Sequence, residues 1–174
     1  MLGGLFRKFT FIVLVLVSVC AMAQNSHDAT DWKPFAFLIG SWQAKPTGNN
    51  VQGSGTYSFQ PEMRGHFLVR HSETESCKGP ADYDCQHQDI LYVYQEPGPI
   101  YKAIYFDNEG HVIHYTVTTP VPLSAVFLSD ESTNAPQFRL SYQLTGATMN
   151  GKFEIKPPGQ AQFQTYLEWS GAKK

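Results

Sequence analysis

The chain has 174 residues, 42% hydrophobic and 14% aromatic, with 13 basic against 15 acidic side chains and a formal net charge of −2. A chain of this length fits one domain. The mild acidity and the absence of any basic run leave no footprint for nucleic acid and little attraction for anionic lipid.

Residues 1–23 read as a secretory signal peptide. Arg7-Lys8 supply a small positive region, Phe9 to Cys20 an apolar one, and Ala21-Met22-Ala23 an A-x-A cleavage site. The apolar run is shorter than the roughly 18–20 residues that span a bilayer, so the reading is cleavage before Gln24 without stable membrane insertion. The alternatives are an uncleaved anchor and a lipoprotein on Cys20, although Val19 rather than a small residue precedes that cysteine. The domain is then 24–174, periplasmic or secreted, with 11 basic against 15 acidic residues and a net charge of −4. Its two cysteines, Cys77 and Cys85, flank a Gly-Pro loop, and in an oxidising compartment they are expected to pair. Two thiols without a second close pair make half a zinc site.

The first expected element is a helical plug over Asp31–Leu38, running into Gly40-Ser-Trp42. After it, Gly, Pro and Asn/Asp clusters separate runs rich in Tyr, Phe, Val and Ile, the signature of an all-β meander. Strands are expected near Ser41–Lys45, Gly53–Gln60, His66–Glu75, Gln88–Gln95, Tyr101–Asp107, Val112–Thr119, Ala125–Ser129, Gln137–Thr145, Gly151–Lys156 and Gln162–Ser170. Asn108-Glu-Gly110 and Met149-Asn-Gly151 supply residues that tolerate positive φ in tight hairpins. A sheet this long closes or doubles over. Short hairpins in strict order favour a single antiparallel up-and-down β-barrel of about ten strands, wide enough inside for a guest.

Alternation turns Arg139, Ser141 and Gln143 outward and Phe138, Leu140, Tyr142 and Leu144 inward, and it sets Lys152 and Glu154 opposite Phe153. In the last strand Phe163, Thr165, Leu167 and Trp169 share the inner phase. The strands around 66–75, 90–94 and 101–107 mix aromatic and polar residues and do not declare a face. A lumen holding a small hydrophobic or amphipathic molecule through aromatic walls and a few polar anchors would draw on Trp42, Tyr57, Arg70, His71, Tyr92, Tyr105, Tyr115, Tyr142 and Phe153. The alternative for a mixed face is a homodimer surface. Arg70 is the candidate clamp for a carboxylate or phosphate, against a surface pairing with Glu73 or Glu75.

The remaining chemistry is sparse. His111-x-x-His114 would point to opposite faces of a strand. His71 and Glu73 share a face, with Asp89 or His87 as an imaginable third ligand, but no metal residue is assigned. There is no Gly-x-Ser-x-Gly elbow, no phosphate loop and no Cys/His dyad, so no catalytic residue is assigned either. A His71/Glu73/Tyr grouping doing acid–base work in the barrel mouth is the enzymatic alternative.

Gly40-x-Trp42 behind the hydrophobic half-turn resembles the entry signature of the lipocalin and fatty-acid-binding (calycin) barrels, which implies a short helix closing one end and a Trp across the floor. With Gly53-Ser-Gly-Thr-Tyr-Ser-Phe59, Gly65-His-Phe-Leu-Val-Arg-His-Ser72, Tyr105-Phe-Asp-Asn-Glu-Gly-His111 and Tyr166-Leu-Glu-Trp169, the span resembles lipocalin-like bacterial barrels of unassigned function. It also resembles the nitrobindin barrels, which implies haem as an alternative cofactor. That family's proximal histidine lies near its C-terminus, where Gly159–Lys174 here has none, so His71, His111 or His114 would have to substitute. The remaining alternative is a structural or interaction module without ligand. The leading expectation is an exported barrel that binds a small molecule and carries no obligatory cofactor.

Overall fold

The structure, a computed structural model, describes residues 29–48, 52–79 and 85–174; the signal peptide expected over 1–23 lies outside the described residues. Ten strands follow in order: β1 (Gly40–Pro46), β2 (Gln52–Glu62), β3 (Phe67–Lys78), β4 (Gln88–Glu96), β5 (Ile100–Asp107), β6 (Val112–Thr118), β7 (Ser124–Ser129), β8 (Gln137–Thr145), β9 (Thr148–Lys156) and β10 (Gln164–Lys173). Each pairs antiparallel with its neighbour in sequence, and β1 pairs with β10 through Trp42↔Lys173 to Pro46↔Trp169, closing the barrel. The turn expected at Met149-Asn-Gly151 is not one: these residues lie inside β9, and the β8–β9 hairpin turns at Gly146, with φ +59°. In the β5–β6 turn, Asp107 Oδ1 accepts the backbone N–H of Glu109 at 3.0 Å and of His111 at 2.9 Å, while Gly110 takes φ +89°.

Residues directly opposite one another in an antiparallel ladder share a face, so the register settles the middle strands. Trp42, Tyr57, Ser72, Asp89 and Asp107 pair in succession, and so do Phe59, Arg70, Leu91, Tyr105 and Ile113. These series face the lumen. Ser41, Ser58, His71, Ile90 and Phe106 form an alternate series on the outer wall. A β-bulge between Thr165 and Leu167 sets Thr165 opposite the outward Glu154 and Leu167 opposite the inward Phe153. The single phase expected along the last strand is therefore broken. Phe163 instead covers the outward Arg139, with the guanidinium 4.1 Å from its ring centroid.

In place of a helix over Asp31–Leu38 there is one 3-10 turn, Lys33–Phe35, carried on by a Leu38 N–H to Phe35 carbonyl bond of 2.9 Å. A segment this short cannot offset the cost of helix nucleation. Tertiary contacts hold it. Trp32 Nε1 donates to the Gly65 carbonyl at 2.8 Å, Phe35 meets Tyr101 edge to face at 4.8 Å, and Trp42 Nε1 donates to the Leu38 carbonyl at 2.9 Å.

The middle of the lumen is filled. Phe59, Leu68, Leu91, Val93, Phe127 and Met149 are wholly inaccessible, and Tyr142 nearly so. Tyr142 lies at the centre of this aromatic layer, its ring 5.4 Å from Phe59, 5.8 Å from Tyr57, 5.8 Å from Trp169 and 6.2 Å from Phe127. The spare room expected of ten strands is thus taken up at mid-height by rings. Two larger hollows, of about 610 and 510 Å³, run along the outer wall over β1–β5 and β7–β10. Inner-face side chains that stay half-buried, among them Ile113, Phe138, Phe153 and Leu167, lie toward the end bearing the β3–β4 and β5–β6 connections.

Candidate functional site

Inside the aromatic layer lies one charged side chain. Arg70, on β3, reaches across the barrel, where its Nη1 donates to the Tyr142 hydroxyl, and its Nη2 pairs with Asp89 Oδ1 on β4. Both partners of the ion pair are almost fully buried, at 6% and 5% side-chain exposure. Burial opposes each charge, but the opposite charge outweighs it. The net effect holds the guanidinium above its ordinary value and the Asp89 carboxyl below its own. The pair is therefore ionised, and the lumen carries a fixed cation against a fixed anion.

Arg70 Nε has no hydrogen-bond partner among the described residues, and Tyr57 Oη and Trp169 Nε1 have none but each other, the indole lying close enough to act against the burial that raises the phenol. All three side chains meet Tyr142, two by ring contact and Arg70 by its hydrogen bond. Two glycines make room for them. A Cβ on Gly151 would stand 2.1 Å from the Trp169 indole, and one on Gly171 would stand 2.8 Å from Tyr57 Oη. Buried polar groups are ordinarily paired, and an unpaired one costs about 1–3 kcal/mol. The Nε of Arg70 is the donor of this layer left without an acceptor among the described residues.

Toward the half-buried end, Asp89 continues the polar track. Its Oδ2 lies 3.3 Å from His87 Nε2, which is also 3.1 Å from the Tyr105 hydroxyl. Tyr105 in turn donates to Asp107 Oδ2 at 3.2 Å, and His111 Nδ1 lies 2.9 Å from the same oxygen. The hydrogen bond to Asp89 raises the His87 pKa against the effect of burial. Burial pushes the Tyr105 phenol upward, so it stays a donor. The disulfide Cys77–Cys85, with Cα atoms 5.3 Å apart, ties the end of β3 to the segment that carries His87.

Of the residues expected to line the lumen, Trp42, Tyr57, Arg70, Tyr105, Tyr115, Tyr142 and Phe153 face inward. His71 and Tyr92 do not. His71 is exposed on the outer wall and lies 3.0 Å from Glu62, and Tyr92 faces outward between Phe67 and Phe106. The pairing Ser72↔Asp89 also puts Asp89 on the opposite face from His71 and Glu73, so it is not a third ligand beside them. Arg70 pairs with Asp89 rather than with Glu73 or Glu75. Sequence reasoning missed Asp89 as the partner of Arg70. The signal available was the face-sharing of Arg70 with Ser72, and thus with Ser72's neighbour on β4. Among the described residues no histidine belongs to the buried inner layer; of the histidines named for haem, His71 and His114 lie on the outer wall and His111 lies beside Asp107.

No family model matches the chain, and no curated protein matches it. Among solved structures it is similar to the crystal structure of Rv2717c from M. tuberculosis, with a TM-score of 0.56 and 16% identity over 84% of this chain and 99% of that one. That likeness shows the fold alone.

Proposed function

We propose that the protein binds a small amphipathic molecule. Its acceptor-rich, anionic end would lie against Arg70, Tyr57 and Trp169, and its apolar part would lie toward Phe138, Phe153 and Leu167. The observation that carries this reading is the guanidinium of Arg70, buried among aromatic rings with its Nε unpartnered among the described residues. A barrel selected only for stability gains nothing from a buried ion pair, since well-packed hydrophobic residues are often as good or better there. The turn at Lys33–Phe35, held to Gly65 and Tyr101, closes the other end, so entry is from the β3–β4 and β5–β6 side. The Cys77–Cys85 disulfide and the signal peptide expected over 1–23 support an extracytoplasmic setting for this binding.

Calorimetry with dodecanoate and with dodecanol tests the proposal, because the two probes differ in charge and not in chain. Dodecanoate should bind at least about tenfold more tightly, the worth of a charge-assisted hydrogen bond. Arg70→Lys keeps the charge facing Asp89 but loses the planar fork, and it should shrink the preference while the fold persists. Equal affinity for both probes, or binding of neither, overturns the proposal and leaves a barrel without a ligand.

A further inference from the structure

At the barrel end, three potential ligand atoms from His87, Asp107 and Glu109 lie within 4.8 Å of one another. His87 precedes β4, Asp107 ends β5, and Glu109 sits in the β5–β6 turn, so the pairing of β4 with β5 is what brings them together. His87 Nδ1 faces Glu109 Oε1 at 3.2 Å. Two ligands held about 2.0–2.1 Å from a tetrahedral zinc-class ion stand about 3.3 Å apart, which is close to this spacing.

The other nitrogen of His87 supplies an independent observation. Nε2 is directed at the buried carboxylate of Asp89, itself locked by Arg70. With the ring proton on Nε2, the lone pair of Nδ1 points straight at a second carboxylate. A second ring proton relieves that repulsion, and so does a cation seated between Nδ1 and Glu109 with the ring neutral. A histidine whose far nitrogen is held by a carboxylate is the usual orienting arrangement of a metal-bound imidazole, and ligating carboxylates are themselves hydrogen-bonded. Here Asp107 Oδ1 is fixed by two backbone N–H groups, and Oδ2 is within reach of Tyr105 and His111. Among the described residues neither Asp107 nor Glu109 is paired with a lysine or arginine; their ion-pair partners are imidazoles. His87 and Glu109 are partly exposed, at 29% and 44%, so an ion has a way in.

We propose that His87, Asp107 and Glu109 form a site for one divalent first-row transition ion, with water completing its coordination. An imidazole with two carboxylates suits zinc and its neighbours rather than magnesium or calcium, which take all-oxygen shells. The site goes beyond the lumen reading and stands whether or not the lumen takes a guest.

Cobalt(II) titrated into the metal-stripped full-length protein, followed by its visible d–d absorption, provides the test. One equivalent should saturate the signal, and zinc should displace it. His87→Ala and Glu109→Gln should each weaken cobalt binding by about tenfold or more, since even loss of an outer partner costs 10–100-fold. His114→Ala, on the exposed outer wall of β6, should leave it unchanged. Both ligand positions lie outside the strands, and circular dichroism confirms the fold of each variant. If one variant fails to fold, the other still decides. An absent cobalt spectrum in the parent protein, unchanged binding in the folded ligand variants, or equal weakening by His114→Ala overturns the site.

Discussion

At the scale of single residues, two arginines are treated in opposite ways. Arg70 is sealed inside with Asp89, where each charge depends on the other: removing one partner of such a pair ordinarily costs about 3–5 kcal/mol because the survivor is left uncompensated. Arg139 lies on the outer wall, with Nε 2.6 Å from Glu154 Oε2 and Nη2 3.0 Å from Oε1, a bidentate fork covered by Phe163. The hydrogen bond from Arg139, against partial burial, holds the Glu154 carboxyl below its ordinary value. A depressed folded-state value stabilises fully above the unfolded glutamate value of about 4.3, and this stabilisation is lost as pH falls through the folded value. Glu154→Gln should therefore be less stable than the parent near neutrality. The gap should close in urea denaturation as pH drops from about 6 to about 3. A gap that persists at acid pH would place the effect in packing rather than charge.

At the scale of elements, the ten strands were legible because glycine, proline and asparagine punctuate them where hairpins need special backbone angles, and Gln137–Thr145 keeps its expected bounds. The faces of β8 and β9 were equally legible, since charged and apolar residues alternate there. β3 and β4 were not: Leu68 and Val69 are both buried although they lie on opposite faces, so alternation carries no signal. Bulges are invisible to a simple period of two, and the one in β10 misplaced Phe163. The grouping of His87 with Asp107 and Glu109 depends on inter-strand register, which spacing along the chain does not encode. Gly151 shows the same limit. It sits in an ordinary strand, but Trp169 of β10 occupies the space of its missing side chain. Gly151→Ala should push the indole out of the aromatic layer and cost about 1–3 kcal/mol, as overpacking does. Chemical denaturation followed by tryptophan emission would measure it.

At the scale of the whole molecule, the decisive contact is the last one made along the chain, β10 against β1. Its partners are far apart in sequence, so the barrel is complete only when the last strand arrives, and such non-local pairing folds slowly. A chain truncated after Lys156 keeps nine strands but leaves the free sides of β1 and β9 bare. It should elute from size-exclusion chromatography as larger assemblies than the parent forms, because unpaired strand edges recruit other chains. A monomeric truncation would mean that the seam is dispensable. With each of the ten described strands paired on both sides, the wall presents no open edge on which a partner could add a strand. Whatever other protein this one meets must be read through side chains on its convex exterior, or through its turns.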